Sequence, residues 1–328
     1  MFWRQSVRVW NQCKMDLLPL FIALSAGGAS NMASATIAPT IELHDGNKIP
    51  VIALGTNKVK GDVMRQTVNV AVEAGFRHFD TSFLYENEED LGKGIHDVIE
   101  KGLVKREDLF ITTKLWYVKH GSDQVLSALR EALGRLGLEY VDLCLIHTFD
   151  YENEDGSPAD VDFLDTWKGM EEAKNLSLTK SIGVFNFDTE QVKKVMEHSQ
   201  IKPAVNQIEI HPAHTREALV SEMEELGLKV MAFSPLGFLV DRGQKDAPAP
   251  HIDDPELTKI GEKYGKTTVQ VVLRYLIERG VIPIPESTKK EHLEQNIDIF
   301  DFSLTPEEVA TINKFNVNKP VFNPEDDD

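Results

Sequence analysis

Gly75-Phe76-Arg77-His78-Phe79-Asp80-Thr81-Ser82-Phe83-Leu84-Tyr85-Glu86-Asn87-Glu88 is the stretch on which the reading of this chain turns. A short apolar and aromatic run ends in a carboxylate, and a tyrosine follows shortly after it. Two more ionisable residues close later apolar runs: Lys114 in Ile111-Thr112-Thr113-Lys114 and His147 in Leu143-Cys144-Leu145-Ile146-His147. An acid, a phenol, an amine and an imidazole at successive strand ends make one acid–base site if those ends converge. A barrel of parallel strands brings them together, because its functional residues gather at the C-terminal ends of the strands.

Working outward, short apolar runs alternate with amphipathic ones along the chain. Strands are predicted at 51–55, 78–81, 109–114, 141–146, 181–185, 204–208, 229–233 and 281–284. Helices are predicted between them at 63–74, 88–101, 122–136, 162–175, 188–198, 216–226 and 267–279, with 289–298 after the last strand. Alternation of this kind without a repeated sequence period points to an α/β fold, a (β/α)8 TIM barrel. Runs such as Val141-Asp142-Leu143-Cys144-Leu145-Ile146 suit strands buried on both faces. An Asp45-Gly46 turn inside 40–49 predicts an N-terminal β-hairpin. Two extra helices, 254–264 and 305–315, carry Pro255 and Pro306 near their starts, where the first turn tolerates proline. The long polar segment 237–253 reads as a lid or cofactor loop.

Composition limits the partners. The chain has 328 residues, is 41% hydrophobic and 27% charged, and has a formal charge of −18. Its pI near 5.0 argues against nucleic acid, whose phosphates it would repel. Residues 1–35 stand apart from the barrel domain, 36–328. Arg4, Arg8 and Lys14 precede the apolar run Leu17–Leu24, and Ala33-Ser34-Ala35 follows. That order resembles a secretory signal, and the apolar run is too short to span a bilayer. A secreted protein is the expectation, with a disordered extension on a cytoplasmic protein as the alternative. Loss of the leader removes Cys13 and leaves Cys144 alone, so no disulfide staples the fold. Asn175-Leu176-Ser177 is a glycosylation sequon only if the chain is exported. A small-molecule substrate, no membrane contact and a monomer complete the expectation.

The chemistry of the four residues is a proton relay. A phenol with a pKa near 10 is a poor donor at neutral pH. A neighbouring ammonium lowers that value, and a carboxylate keeps the ammonium charged. Tyr85, Lys114 and Asp80 would form such a relay, with His147 orienting a carbonyl or sharing the proton. The alternative is a non-catalytic barrel in which Asp80 and Lys114 are a structural ion pair. Glu209, His211 and His214 offer a weak metal pattern that lacks a third convincing ligand, so no metal is expected.

The 75–88 stretch, continued to Gly92, resembles the signature of the aldo-keto reductase superfamily. The separations from Asp80 to Tyr85, from Asp80 to Lys114 and from Lys114 to His147 agree with it, and the similarity spans 40–322. The resemblance implies NAD(P)H-dependent reduction of aldehydes and ketones, with Tyr85, Asp80, Lys114 and His147 as the catalytic tetrad. It places Asn186 and Gln207 on the nicotinamide carboxamide and Phe233 against the nicotinamide ring. Ser234 and Leu236 fall along the pyrophosphate, and Glu286, Ser287, Thr288, His292 and Asn296 on the adenosine side. NADP(H) is the cofactor by family habit.

Departures from the family pattern qualify that picture. Phe185 stands where a serine usually binds the carboxamide, which predicts one lost hydrogen bond. Glu286 and His292 replace basic residues that grip the 2′-phosphate, which makes NAD(H) an alternative unless Lys289 and Lys290 compensate. Asn57 and Thr148 stand where indoles are common, while Trp116 is retained. The implied pocket is wide and polar, suited to a bulky ketone. In style the chain is similar to insect members of the family, some of which act on 3-oxo-ecdysteroids.

Overall fold

The computed structural model describes residues 36–115, 122–147, 163–244 and 246–322. The leader, Trp116 and Thr148 lie outside the described residues. A hairpin of β1 (Thr40–Glu42) and β2 (Lys48–Pro50) pairs antiparallel, with Ile41 opposite Ile49. Eight strands then form one sheet: β3 (Leu54–Gly55), β4 (His78–Asp80), β5 (Phe110–Leu115), β6 (Val141–Ile146), β7 (Thr179–Phe185), β8 (Val205–Glu209), β9 (Lys229–Phe233) and β10 (Val281–Pro283). Each is parallel to the next in chain order. The backbone N–H groups of Ala53 and Gly55 donate to the carbonyls of Pro283 and Pro285 at 3.0 and 2.9 Å. These bonds join the first strand to the last, so the predicted barrel closes.

The helices fall within a few residues of their predicted bounds: α1 (Gly61–Ala74), α2 (Glu88–Glu100), α3 (Ser122–Leu136), α4 (Phe163–Asn175), α5 (Thr189–His198), α6 (Glu217–Glu225), α8 (Thr268–Glu278) and α9 (Lys290–Ile297). The extra helices are α7 (Pro255–Tyr264) and α10 (Pro306–Asn313). Asp254 caps the first by accepting from the N–H groups of Glu256 and Leu257. Thr305 and Glu308 form a capping box on the second. In α1 the buried Met64, Thr67, Val68, Ala71 and Val72 recur at helical spacing. Gly75 then ends the helix at φ 117°, and a Cβ there would lie 2.2 Å from the Thr36 carbonyl oxygen. Only glycine lets the two segments pass. No helix among the described residues is long and apolar enough to cross a membrane.

The core has two layers. Phe79, Ile111, Ile146, Leu91 and Leu129 belong to the larger layer, between sheet and helices. Phe110, Leu143, Leu145, Val205, Met231 and Ile282 form the second, together with Leu43 and Ile49 of the hairpin. The hairpin therefore seals one end of the barrel. Its Asp45 accepts from Ser181 Oγ at 2.8 Å, and His44 Nε2 lies 3.0 Å from the Pro203 carbonyl. The catalytic candidates sit at the strand ends opposite this seal.

Burial also sets how the fold responds to acid. His78 and His147 are buried, and desolvation pushes both pKa values down to about 3, with Lys114 adding to the effect. His214 falls to about 4, for burial first and Arg216 second. All three fold neutral, whereas the unfolded chain protonates them near pH 6.5. Their contribution is therefore complete above that pH and is lost as pH falls toward the folded values. Between pH 7 and pH 5 His78 and His147 each withdraw about 2 kcal/mol. Thermal melts should show Tm falling across that interval; a flat Tm would contradict the neutral-histidine assignment.

Candidate active site

Local structure delivers the four side chains to one place. Asp80 is the last residue of β4, Lys114 lies near the end of β5, and His147 directly follows β6. Tyr85 ends a short 3-10 turn, Phe83–Tyr85, capped by Ser82, whose Oγ accepts from the Leu84 N–H at 3.2 Å. Asn87 stitches this loop to the exit of β3. Its Oδ1 accepts from Thr81 Oγ1 at 2.8 Å, and its Nδ2 donates to the carbonyls of Thr56 and Val59 at 2.7 and 3.0 Å.

Lys114 is the hub. Its ammonium donates to Asp80 Oδ1, to the Thr81 carbonyl at 3.0 Å and to the Tyr85 hydroxyl at 3.4 Å. An ammonium has three protons, and all three are used. Because Lys114 donates to the phenol oxygen, the phenol's own proton points elsewhere. Burial pulls the Lys114 pKa below its usual value, opposed mainly by Asp80. The other Asp80 oxygen accepts from Gln207 Nε2 at 2.8 Å. Gln207 Oε1 is buried and accepts no hydrogen bond among the described residues, so an acceptor is left for an incoming N–H.

The expected lowering of the Tyr85 pKa does not occur in this state. Burial, then the charges of Asp80 and Glu286, raise it well above 10. The ammonium is present, but at 3.4 Å it does not offset desolvation and two carboxylates. Tyr85 is therefore a neutral phenol across the physiological range, able to give a proton rather than take one. His147 Nδ1 lies 3.2 Å from Ser82 Oγ. If the Ser82 hydroxyl, which accepts from the Leu84 N–H, donates its proton to Nδ1, the imidazole N–H sits on Nε2.

The cofactor-side residues occupy neighbouring strand ends. Asn186 and Ser234 follow β7 and β9 with φ of 63° and 48°, a left-handed conformation uncommon for non-glycine residues and concentrated at functional sites. The Phe185 and Phe233 rings stack at 5.2 Å and 18°, and Phe185 meets His147 edge-on at 4.8 Å. The position that lost its serine has become an apolar wall. Leu236 is half-buried against the core. Ser287 Oγ lies 3.3 Å from His292 Nδ1 and accepts from the Lys289 N–H at the start of α9. Thr288 is exposed beside them, and Asn296 is buried on the same helix. Asn57 is half-buried next to Thr56, whose Oγ1 donates to the Asp80 carbonyl.

Glu286 sits beside the first strand of the barrel. It pairs with Gly55, and a Cβ on that glycine would lie 2.7 Å from the Glu286 Cγ. The residue is exposed, and desolvation of its carboxyl pushes the pKa up to about 7. Arg242, Asp80, Lys58 and Lys114 are the charges that act on it. Glu286 thus belongs electrostatically with the tetrad. Other contributors had no separate signal in the sequence. Glu88, for one, is buried and accepts from Thr113 Oγ1 and Arg135 Nε, both at 2.7 Å.

A closed (β/α)8 barrel with a buried acid–amine–phenol relay and an imidazole at its open mouth defines an oxidoreductase built for carbonyl groups. The aldo/keto reductase family model matches residues 51–317. Aldo-keto reductase AKR2E4 of Bombyx mori is 52% identical over 88% of this chain and 95% of its own. Aldo-keto reductase family 1 member A1 of Homo sapiens is 36% identical over 86% and 90%. The crystal structure of the Bombyx mori AKR2E4 protein in complex with NADP superposes with a TM-score of 0.86 at 51% identity, covering 89% of this chain and 97% of that one. A structure of aldo-keto reductase AKR2E5 complexed with NADPH gives 0.86 at 37% identity, covering 88% and 90%. The chain belongs to the aldo/keto reductase family, whose members are NAD(P)H-dependent oxidoreductases acting on carbonyls.

Proposed function

We propose that this protein reduces bulky, hydroxylated ketones of the 3-oxo steroid class, with ecdysteroids as the leading example, using NADPH. The observation that carries the chemistry is the three-way use of the Lys114 ammonium by Asp80, Thr81 and Tyr85. The unpaired Gln207 Oε1 suits a carboxamide N–H, and the Phe233 face suits a flat ring. A reduced nicotinamide bound there supplies the hydride. Tyr85 holds the proton for the nascent alkoxide, Lys114 stabilises charge developing on the phenol oxygen, and His147 presents Nε2–H to the carbonyl oxygen.

One observation favours NADPH over NADH. Ser287, Thr288, Lys289 and Lys290 lie at the start of α9, where helix N–H groups and cations favour a phosphate. Two NADP(H)-bound relatives agree with this choice. The wide pocket rests on Asn57 in place of an indole.

Initial rates at 340 nm test both statements. NADPH should exceed NADH in kcat/KM by about tenfold or more, the worth of one charge-assisted hydrogen bond. A 3-oxo-ecdysteroid should exceed small aldehydes in the same assay. Equal use of the two cofactors would overturn the first statement, and a preference for small aldehydes the second.

A further inference from the structure

Glu209, His211 and His214, the polar cluster that resembled a metal pattern, take no part in the tetrad. Glu209 ends β8 and is 6% exposed. Its Oε1 accepts from the Val321 N–H and lies 3.0 Å from His211 Nε2, and its Oε2 accepts from the Phe322 N–H at 3.3 Å. Nearby backbone repeats the attachment. The N–H groups of Val317 and Lys319 donate to the Ala213 carbonyl at 3.2 and 3.1 Å, and Asn316 Oδ1 accepts from the Thr215 N–H at 3.2 Å. Val321 packs with Ala213 and Phe238. The His211 ring is wedged in place, edge-on to Phe238 at 5.5 Å, and a Cβ on Gly237 would lie 2.5 Å from it.

Residues 316–322 contain no helix or strand, so they have no hydrogen-bond ladder of their own. A buried carboxylate is tolerated only when its lone pairs are filled, and here peptide N–H groups of this segment fill them. Glu209 and the segment therefore depend on each other. The tie has a consequence at the mouth. It sets the Phe322 ring 6.1 Å from Phe233, which stacks on Phe185, which in turn meets His147. A row of rings leads from the clamp to the catalytic imidazole.

We propose that Glu209 is a positioning residue for the substrate: it clamps the peptide N–H groups of Val321 and Phe322 and thereby fixes Phe322 as an outer wall of the pocket, against an apolar face of a bulky ketone. The kinetic part of the proposal rests on the carbonyl-reductase reading; the clamp itself does not.

The test uses the full chain. Glu209→Gln keeps the size of the side chain but turns an amide NH2 toward a peptide N–H. Hydrogen exchange across 317–322 should accelerate by about tenfold or more, as expected for loss of a charge-assisted bond. Because this readout needs no turnover, it fails separately from the enzymatic reading. With activity, KM for a steroid ketone should rise several-fold, roughly what one apolar wall contributes, while kcat stays within about twofold. In a Phe322→Ala background the same change should add little, since the ring it positions is gone. Val321→Pro removes a donor while leaving the carboxylate, and it should reproduce the KM rise even if Glu209→Gln does not fold. Unchanged exchange in folded Glu209→Gln, fully additive effects with Phe322→Ala, or an unchanged KM in Val321→Pro would each overturn the proposal.

Discussion

Replacing Tyr85 with phenylalanine is expected to lower kcat for carbonyl reduction by about a hundred- to ten-thousand-fold, the usual worth of a positioned general acid. NADPH binding, read by quenching of protein fluorescence, should stay close to wild type. The magnitude follows from the geometry. Lys114 donates to the phenol oxygen and Tyr85 stays protonated because burial, Asp80 and Glu286 all raise its pKa. No other donor in the tetrad is held in the same way, since His147 is a neutral imidazole whose Nδ1 faces Ser82. A loss of less than tenfold would move the proton donor elsewhere.

Breaking the Asp80–Lys114 pair should be the most damaging single change to the fold. Both side chains are almost wholly buried. Lys114→Met leaves a carboxylate in a low-dielectric site with, among the described residues, only Gln207 to donate to it, and Asp80→Asn leaves the ammonium without its counter-charge. Removing one member of a buried pair costs about 3–5 kcal/mol, which in a chain of this size lowers Tm by on the order of 10 °C. The double variant Asp80→Asn with Lys114→Met leaves no uncompensated charge and should recover part of that loss while remaining inactive. Melting curves of the three variants decide it; a double variant less stable than both singles would contradict the account.

Much of this was legible in the sequence, for identifiable reasons. Apolar runs such as Phe110–Leu115 and Val141–Ile146 are buried on both faces, and their continuity states that directly. The helix bounds followed from turn chemistry at Asp254-Pro255 and Thr305-Pro306. The tetrad was legible because a parallel barrel aligns strand ends, so spacing along the chain becomes proximity in space. The sequence was silent on features that depend on depth or on distant contacts. Local neighbours suggested a lowered Tyr85 pKa, whereas burial, invisible in a list of residues, reverses the sign. The approach of Glu286 to Gly55, and its coupling to Asp80 and Lys114, also had no local signal. Glu209 and the 317–322 segment are far apart in sequence, and nothing local announces their contact.

The central claim is that Lys114, Asp80, Tyr85 and His147 form a working carbonyl-reducing site on an NADPH-binding barrel. Its most direct test is the fall in absorbance at 340 nm when the purified full chain meets NADPH and an activated aromatic aldehyde. Steady, enzyme-dependent consumption of NADPH is the expected result. Tight NADPH binding with no consumption, under conditions where the protein is folded, would contradict it and return the chain to the non-catalytic alternative.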